Sequence, residues 1–292
     1  MEMHDTYFVM DESGDRGFID DEPSLDSFGL IAGFAFPAHN KSLFENKLIE
    51  LYNKLDTKDM KKIRSACAFV GDRNIKVKNE YIRFFCDSEL LIVYQAMFLR
   101  GSFIVKQLAK ELKQLAKESR CNKHIKILSE KKKQDVYFEI LSGLLIKLDE
   151  ICKVEESSNM AILTDTVDKK ILSDARHLLN HLKRDKHSYK LKAVNTQKRE
   201  NVEKQLISKI YYPISIKNID MINISDRLEI TFAGDFIANS IYRHLKKKIQ
   251  EGCDHGLNSQ KIIQDFPLFS KIALLNDDNI TDKLFSNHNS GE

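Results

Sequence analysis

The sequence predicts an α/β fold in which a mixed β-sheet is flanked by helices. Near the N-terminus, two apolar runs at 7–10 and 28–36 enclose a polar turn, which predicts an antiparallel hairpin. Further along, an amphipathic helix at 135–153 leads into the apolar run Met160–Thr164, and the order strand, helix, strand is typical of a parallel crossover. The N-terminal hairpin and the parallel strands together predict the mixed sheet.

Composition favours one domain with a substantial core. The chain has 292 residues, 42% of them hydrophobic, and we expect a single domain over 1–275 and a polar tail over 276–292. No run approaches the roughly 20 apolar residues that a bilayer requires, so we expect a soluble protein without a secretory signal. The five cysteines are scattered, which argues against a structural zinc site and fits a reducing cytoplasm.

The remaining elements follow from periodicity and turn residues. Further helices are predicted at 40–55, 77–87, 170–182, 196–210 and 228–248. Further strands are predicted where β-branched and aromatic residues are dense, at 89–99, 188–194 and 214–224. We expect Asn40 to cap the first helix, and Ser225 and Asp226 to cap the last.

Carboxylates follow the first predicted strand directly. The apolar run Tyr7–Met10 leads into Asp11 and Glu12 and then into a turn, which indicates a buried strand that ends in acids. A carboxylate held by a stiff strand is suited to binding a hard cation through oxygen. The alternative is a polar hairpin tip, since Asp, Ser and Gly are ordinary turn residues.

A second acid, Asp165, follows the strand Met160–Thr164 in the same way. If this strand and the first are parallel neighbours, Asp11 and Asp165 open onto one crevice, where open α/β sheets place their ligands. The alternative for Asp165 is a turn or N-cap role for the next helix, and Asp168 is a second candidate for either role.

A third acid, Asp235, lies within the late predicted helix between Phe232 and Phe236. Helical spacing places it on one face with Asn239 and Tyr242. An acid flanked by aromatic residues is expected to have a partner, which is either a basic side chain or a metal.

These segments resemble a known family. The motif Asp11–Asp15 after an N-terminal strand resembles the opening of the domain-of-unknown-function 3800 family, which belongs to the ribonuclease H-like superfamily. The segment Gly234–Ala238 is similar to the family's late small-Asp-apolar-apolar-Ala helix motif. This chain departs from the pattern at Phe232, where Gln is usual, and at Gly234, where Ala is commoner. Because glycine inside a helix costs about 1 kcal/mol, we expect the helix to start or bend there.

The resemblance implies a ribonuclease H-like fold and a divalent-metal-dependent nuclease that acts on DNA or RNA, in a bacterial or phage-defence setting. It implies that Asp11, Asp165 and Asp235 bind Mg²⁺ or Mn²⁺, with Glu12 and Asp15 as further carboxylates that bind the metal or orient water. Two such ions can promote hydrolysis without a Ser, Cys or His nucleophile.

A basic stripe is predicted on a helical insertion at 102–133. Its lysines recur every three or four residues on one helix face, at Lys106, Lys110, Lys113 and Lys117. This spacing is typical either of a solvated surface or of a face that binds nucleic-acid phosphates.

The sequence is also compatible with other function classes. The domain can be a catalytically silent module that binds nucleic acid or a protein partner, since fold does not fix function. Asp11 as the nucleophile of a haloacid-dehalogenase-like phosphatase is disfavoured, because that chemistry usually has a second Asp where this chain has Ser13. His177 and His181 have zinc-like spacing but lack an adjacent third ligand.

Overall fold

The computed structural model confirms an α/β fold with a five-stranded mixed sheet flanked by helices. It describes residues 4–14, 27–55, 72–99, 136–154, 159–165, 173, 187–195, 200–208, 215–251 and 262–273. The predicted insertion at 102–133, the tail at 276–292 and both His177 and His181 lie outside the described residues. Within the described ranges, no helix combines the length and apolar character of a membrane span.

The strands and helices largely follow the predicted order. The strands of the described ranges are β1 Thr6–Gly14, β2 Phe28–Pro37, β3 Leu91–Phe98, β4 Asn159–Thr164, β5 His187–Asn195, β6 Glu200–Ser208 and β7 Asn218–Asn223. The α-helices of these ranges are α1 Lys41–Asn53, α2 Asp72–Asp87, α3 Val136–Val154 and α4 Leu228–Gln250.

The main sheet has the strand order β3-β2-β1-β4-β7. Strands β1, β2 and β3 pair antiparallel, which confirms the N-terminal hairpin, whereas β4 is parallel to both β1 and β7. Strand β1 therefore lies at the centre, where the antiparallel half meets the parallel half. The crossover predicted to pass through α3 brings β4 beside β1.

Hydrophobic cores cover both faces of this sheet. On one face, called here the α4 face, Val9 of β1 belongs to the same cluster as Phe44 of α1, Phe85 of α2 and Phe236 of α4. On the opposite face, the α3 face, Phe8 and Met10 of β1 join a cluster with the leucines of α3. Burial of each large apolar side chain contributes roughly 1.5 to 3 kcal/mol, so the two cores hold β1 rigidly between helices.

One element was predicted wrongly. The segment 196–210 was expected to be a polar helix, but Glu200–Ser208 forms β6 and pairs antiparallel with β5 in a separate two-stranded sheet. Its Glu, Lys and Gln residues have good helix propensity, which is the reason for the error. The backbone of Glu200–Ser208 is paired in register with His187–Asn195, and this strand pairing overrides the local helix propensity.

The details at three element ends also differ from the prediction. Strand β1 does not stop at Asp11 but continues to Gly14, so Asp11 lies within the sheet. Asn40 occupies the N-cap position of α1 without a side-chain cap, and its Nδ2 donates a hydrogen bond to Glu89. Arg227, rather than Ser225 or Asp226, precedes α4, and its guanidinium pairs with acids at Glu45 and Glu229.

Candidate functional site

Asp11 lies in β1, and Asp165 directly follows the end of the parallel neighbour β4 at the same level. Val9 of β1 is paired with Leu163 of β4, and each acid comes two residues later in its own chain segment. Because side chains alternate along a strand, Asp11 points to the face that carries Val9 and Leu163, which is the α4 face. The charge of Asp165, at the end of β4, acts on Asp11. Neighbouring strands are separated by roughly 4.8 Å, so the two carboxylates share one region of the surface.

Asp235 reaches the same region from α4, because this helix packs very closely on β1. A methyl group added at Gly234 would lie 3.2 Å from Val9 Cγ1 and 3.7 Å from Asp11 Cβ. Helix α4 begins at Leu228 and is continuous through this position, so the alternative that the helix starts at Gly234 is wrong. The glycine instead allows the helix to approach the strand and brings Asp235 beside Asp11.

The electrostatics of Asp11 show that these acids interact. Burial, partly offset by a hydrogen bond from the backbone of Glu12, raises the pKa of Asp11 from 3.8 to about 7. The negative charges of Asp235, Asp165 and Glu12 contribute to this same rise in pKa, in that order, after burial. The structure therefore brings together Asp11, Asp165 and Asp235, which come from distant parts of the sequence.

Asp235 is held by hydrogen bonds that connect it to β1. Asn239, one helical turn further along α4, donates from Nδ2 to Asp235 Oδ1 at 2.5 Å. The hydroxyl of Ser13 in turn donates to Asn239 Oδ1 at 3.3 Å. Helical spacing predicts Asn239 on the face of Asp235, but no local pattern predicts the bond to Ser13. The bond between Asn239 and Asp235 could be predicted from their spacing of four residues, at which an Asn amide can reach an Asp carboxylate on the same helix face.

The other predicted site residues are placed differently. Glu12 follows Asp11 in β1, so the alternation of the strand directs it to the α3 face with Phe8 and Met10. Its charge still acts on Asp11, but it does not share the face of the three aspartates. Asp15 lies outside the described residues, as do Asp168 and the whole lysine stripe.

The chemistry of this acid cluster fits a hard divalent cation. All three side chains are carboxylates, which Mg²⁺ and Mn²⁺ prefer as ligands, and their mutual repulsion would be relieved by a cation. Within the described part of the chain, however, no three His, Cys, Asp or Glu side chains form a group that could hold a metal ion as they stand. The aspartates are therefore neighbours on one face rather than a preformed cage.

Comparison of the chain with protein-family models, with curated proteins and with solved structures finds no significant match.

Proposed function

We propose that this chain is a divalent-metal-dependent nuclease that hydrolyses phosphodiester bonds of DNA or RNA. The observation that carries the proposal is the convergence of Asp11, Asp165 and Asp235 on the α4 face, with the pKa of Asp11 raised by burial and by the other two charges. Acids crowded in this way on rigid elements are what divalent-metal phosphodiester chemistry requires.

The order β3-β2-β1-β4-β7, antiparallel on one side of β1 and parallel on the other, supports assignment of the sheet to the ribonuclease H-like class. It also supports the proposed relationship to the domain-of-unknown-function 3800 family, because the motif residues Asp11 and Asp235 are brought side by side. Membership of that family, and with it a role in bacterial or phage defence, belongs to this proposal.

In the proposed mechanism, Asp11, Asp165 and Asp235 would hold Mg²⁺ or Mn²⁺ at the carboxyl-end side of the parallel strands. Such ions would supply Lewis acidity that activates water and stabilises charge on the leaving oxygen. The aspartates contribute fixed negative charge and orientation, because β1, β4 and α4 are packed elements. The lysine stripe Lys106, Lys110, Lys113 and Lys117 is proposed to bind the phosphate backbone of the substrate.

A second candidate is a catalytically silent module that binds nucleic acid or a protein partner through the same fold. One observation favours it: within the described residues, the carboxylates do not form a group that could hold a metal as they stand. Under this alternative the three aspartates shape a polar surface, and removal of divalent metal leaves binding unchanged.

Cleavage assays with matched metal conditions test the proposal. Purified protein is incubated with labelled single- and double-stranded DNA and RNA in Mg²⁺, Mn²⁺ or EDTA, beside the Asp11→Asn variant. The nuclease proposal predicts cleavage with either metal, loss in EDTA and loss in the variant. Full cleavage in EDTA contradicts the metal mechanism, and retained nucleic-acid binding without any cleavage favours the silent module.

A further inference from the structure

The Asn239 amide joins the Asp235 carboxylate to strand β1. Its donor end, Nδ2, faces Asp235 Oδ1 at 2.5 Å, and its acceptor end, Oδ1, faces the Ser13 hydroxyl at 3.3 Å. Both hydrogen bonds are partly buried. An amide presents a donor and an acceptor on opposite sides, so the two contacts together fix its orientation. The chain of bonds therefore runs in one direction, from Ser13 through Asn239 to Asp235.

Helix α4 is anchored to the end of β1 independently of this amide. Tyr242, three residues beyond Asn239, packs on Phe28 of β2 with ring centroids 4.7 Å apart. Gly14 has a positive φ of 82°, and a methyl group added there would lie 2.6 Å from a ring carbon of Tyr242. Together with the buried apolar residues of α4, these contacts hold the helix in place. The position of α4 therefore does not depend on the Asn239 amide alone.

We infer that Asn239 is a positioning residue that holds the Asp235 carboxylate toward Asp11 and Asp165, with Ser13 as its anchor on the strand. This inference rests on the proposed function, because it concerns the same three aspartates. Hydrogen bonds that orient a ligand carboxylate typically change metal affinity by 10- to 100-fold when they are removed. The effect is expected in the orientation of Asp235 rather than in folding.

The variants separate orientation from packing. Asn239→Ala removes the hydrogen bond to Asp235, and Ser13→Ala removes only the hydrogen bond from Ser13 to Asn239. Ser13→Thr keeps a hydroxyl and should therefore keep that hydrogen bond. The double variant Ser13→Ala with Asn239→Ala tests whether the two residues act in series. Ser240→Ala is the matched control, since Ser240 is partly exposed on the same helix next to Asn239.

Two measurements are made on each variant at one fixed pH. The first is the ¹³Cγ resonance of Asp235 in the metal-free protein, and the second is the Kd for Mn²⁺ from calorimetry. We expect Asn239→Ala to shift the resonance and to weaken Mn²⁺ binding about 10- to 100-fold. Ser13→Ala should have a smaller effect in the same direction, Ser13→Thr and the control should match the wild type, and the double variant should equal Asn239→Ala.

Failure of the positioning role and failure of the proposed metal site give different results. An unshifted Asp235 resonance in Asn239→Ala overturns the positioning role, as does a Kd within about twofold of the wild type. If the wild type binds no Mn²⁺, the proposed metal site fails, and the resonance alone then decides whether Asn239 orients Asp235.

Discussion

Asp11 in β1 and Asp165 just after β4 occupy equivalent positions, each two residues beyond the paired residues Val9 and Leu163 of these parallel strands. The relationship depends on the register of β1 against β4, because a shift by one residue would turn one of the acids to the opposite face. Two neighbouring strands therefore present one carboxylate each to the helix that carries Asp235.

The pKa of Asp11 predicts how stability depends on pH in metal-free protein. Because its folded-state pKa of about 7 lies above the ordinary value of 3.8, its stabilising contribution is fully present below pH 3.8 and is lost as pH rises through 7. Asp11→Asn removes this ionisation. The variant should gain stability relative to wild type between pH 4 and 8, by on the order of 3 kcal/mol.

Urea unfolding at several pH values in EDTA measures this difference. Asp226→Asn is the control, because Asp226 is exposed and lies outside the acid cluster. A stability difference between Asp11→Asn and wild type that stays constant from pH 4 to 8 would show that Asp11 ionises normally in the folded protein.

Gly234 should tolerate a methyl group but nothing larger. Alanine gains about 1 kcal/mol of helix propensity, whereas its Cβ would press on Val9 Cγ1 at 3.2 Å. We expect the free energy of unfolding of Gly234→Ala to stay within about 1 kcal/mol of wild type, and Gly234→Val to lose more than about 2 kcal/mol through overpacking. Ser240→Val, at a partly exposed position of α4, controls for the β-branched side chain. Equal losses in the two valine variants would contradict the close-packing explanation.

Asp149 should be a structural carboxylate that holds the backbone segment just before β7 in place. It is 1% exposed in α3, and its Oδ1 accepts hydrogen bonds from the backbone N–H groups of Ser215 at 2.7 Å and Ile216 at 2.9 Å. Asp149→Ala leaves two backbone donors without this acceptor, so we expect a loss of roughly 2 to 4 kcal/mol in unfolding free energy. Amide exchange at Ile216 should accelerate more than exchange in α4, and uniform acceleration would argue against a local role.

The lysine stripe should contribute substrate affinity rather than chemistry. Replacing Lys106, Lys110, Lys113 and Lys117 by Gln should weaken nucleic-acid binding and lower the slope of log Kd against log salt by about 0.7 to 0.9 for each lost phosphate contact. Binding titrations from 50 to about 200 mM salt measure the slope. Unchanged binding at every salt concentration would identify the stripe as an ordinary solvated surface.

The central sheet and the positions of the acids could be predicted from the sequence because both depend on strong local patterns. Apolar runs mark β1, β2 and β4, and the crossover rule for parallel strands predicts that Asp11 and Asp165 meet. Local patterns failed where long-range contacts decide. Strand β6 has helix-forming residues but is paired with β5, and Gly234 favours a bend by propensity but serves a close helix–strand contact. The bond from Ser13 to Asn239 depends on how α4 lies over β1, which no local pattern records.

The most direct test of the central claim is thermal unfolding of the wild type and of Asp11→Asn, Asp165→Asn and Asp235→Asn, each with Mn²⁺ and with EDTA. Ligand at about 100 times its Kd stabilises a folded protein by roughly 2.7 kcal/mol, so a shared site should give a clear rise in wild-type Tm. We expect this rise to disappear in all three variants. A full rise in Asp235→Asn would contradict it, because Asp235 would then not bind the metal.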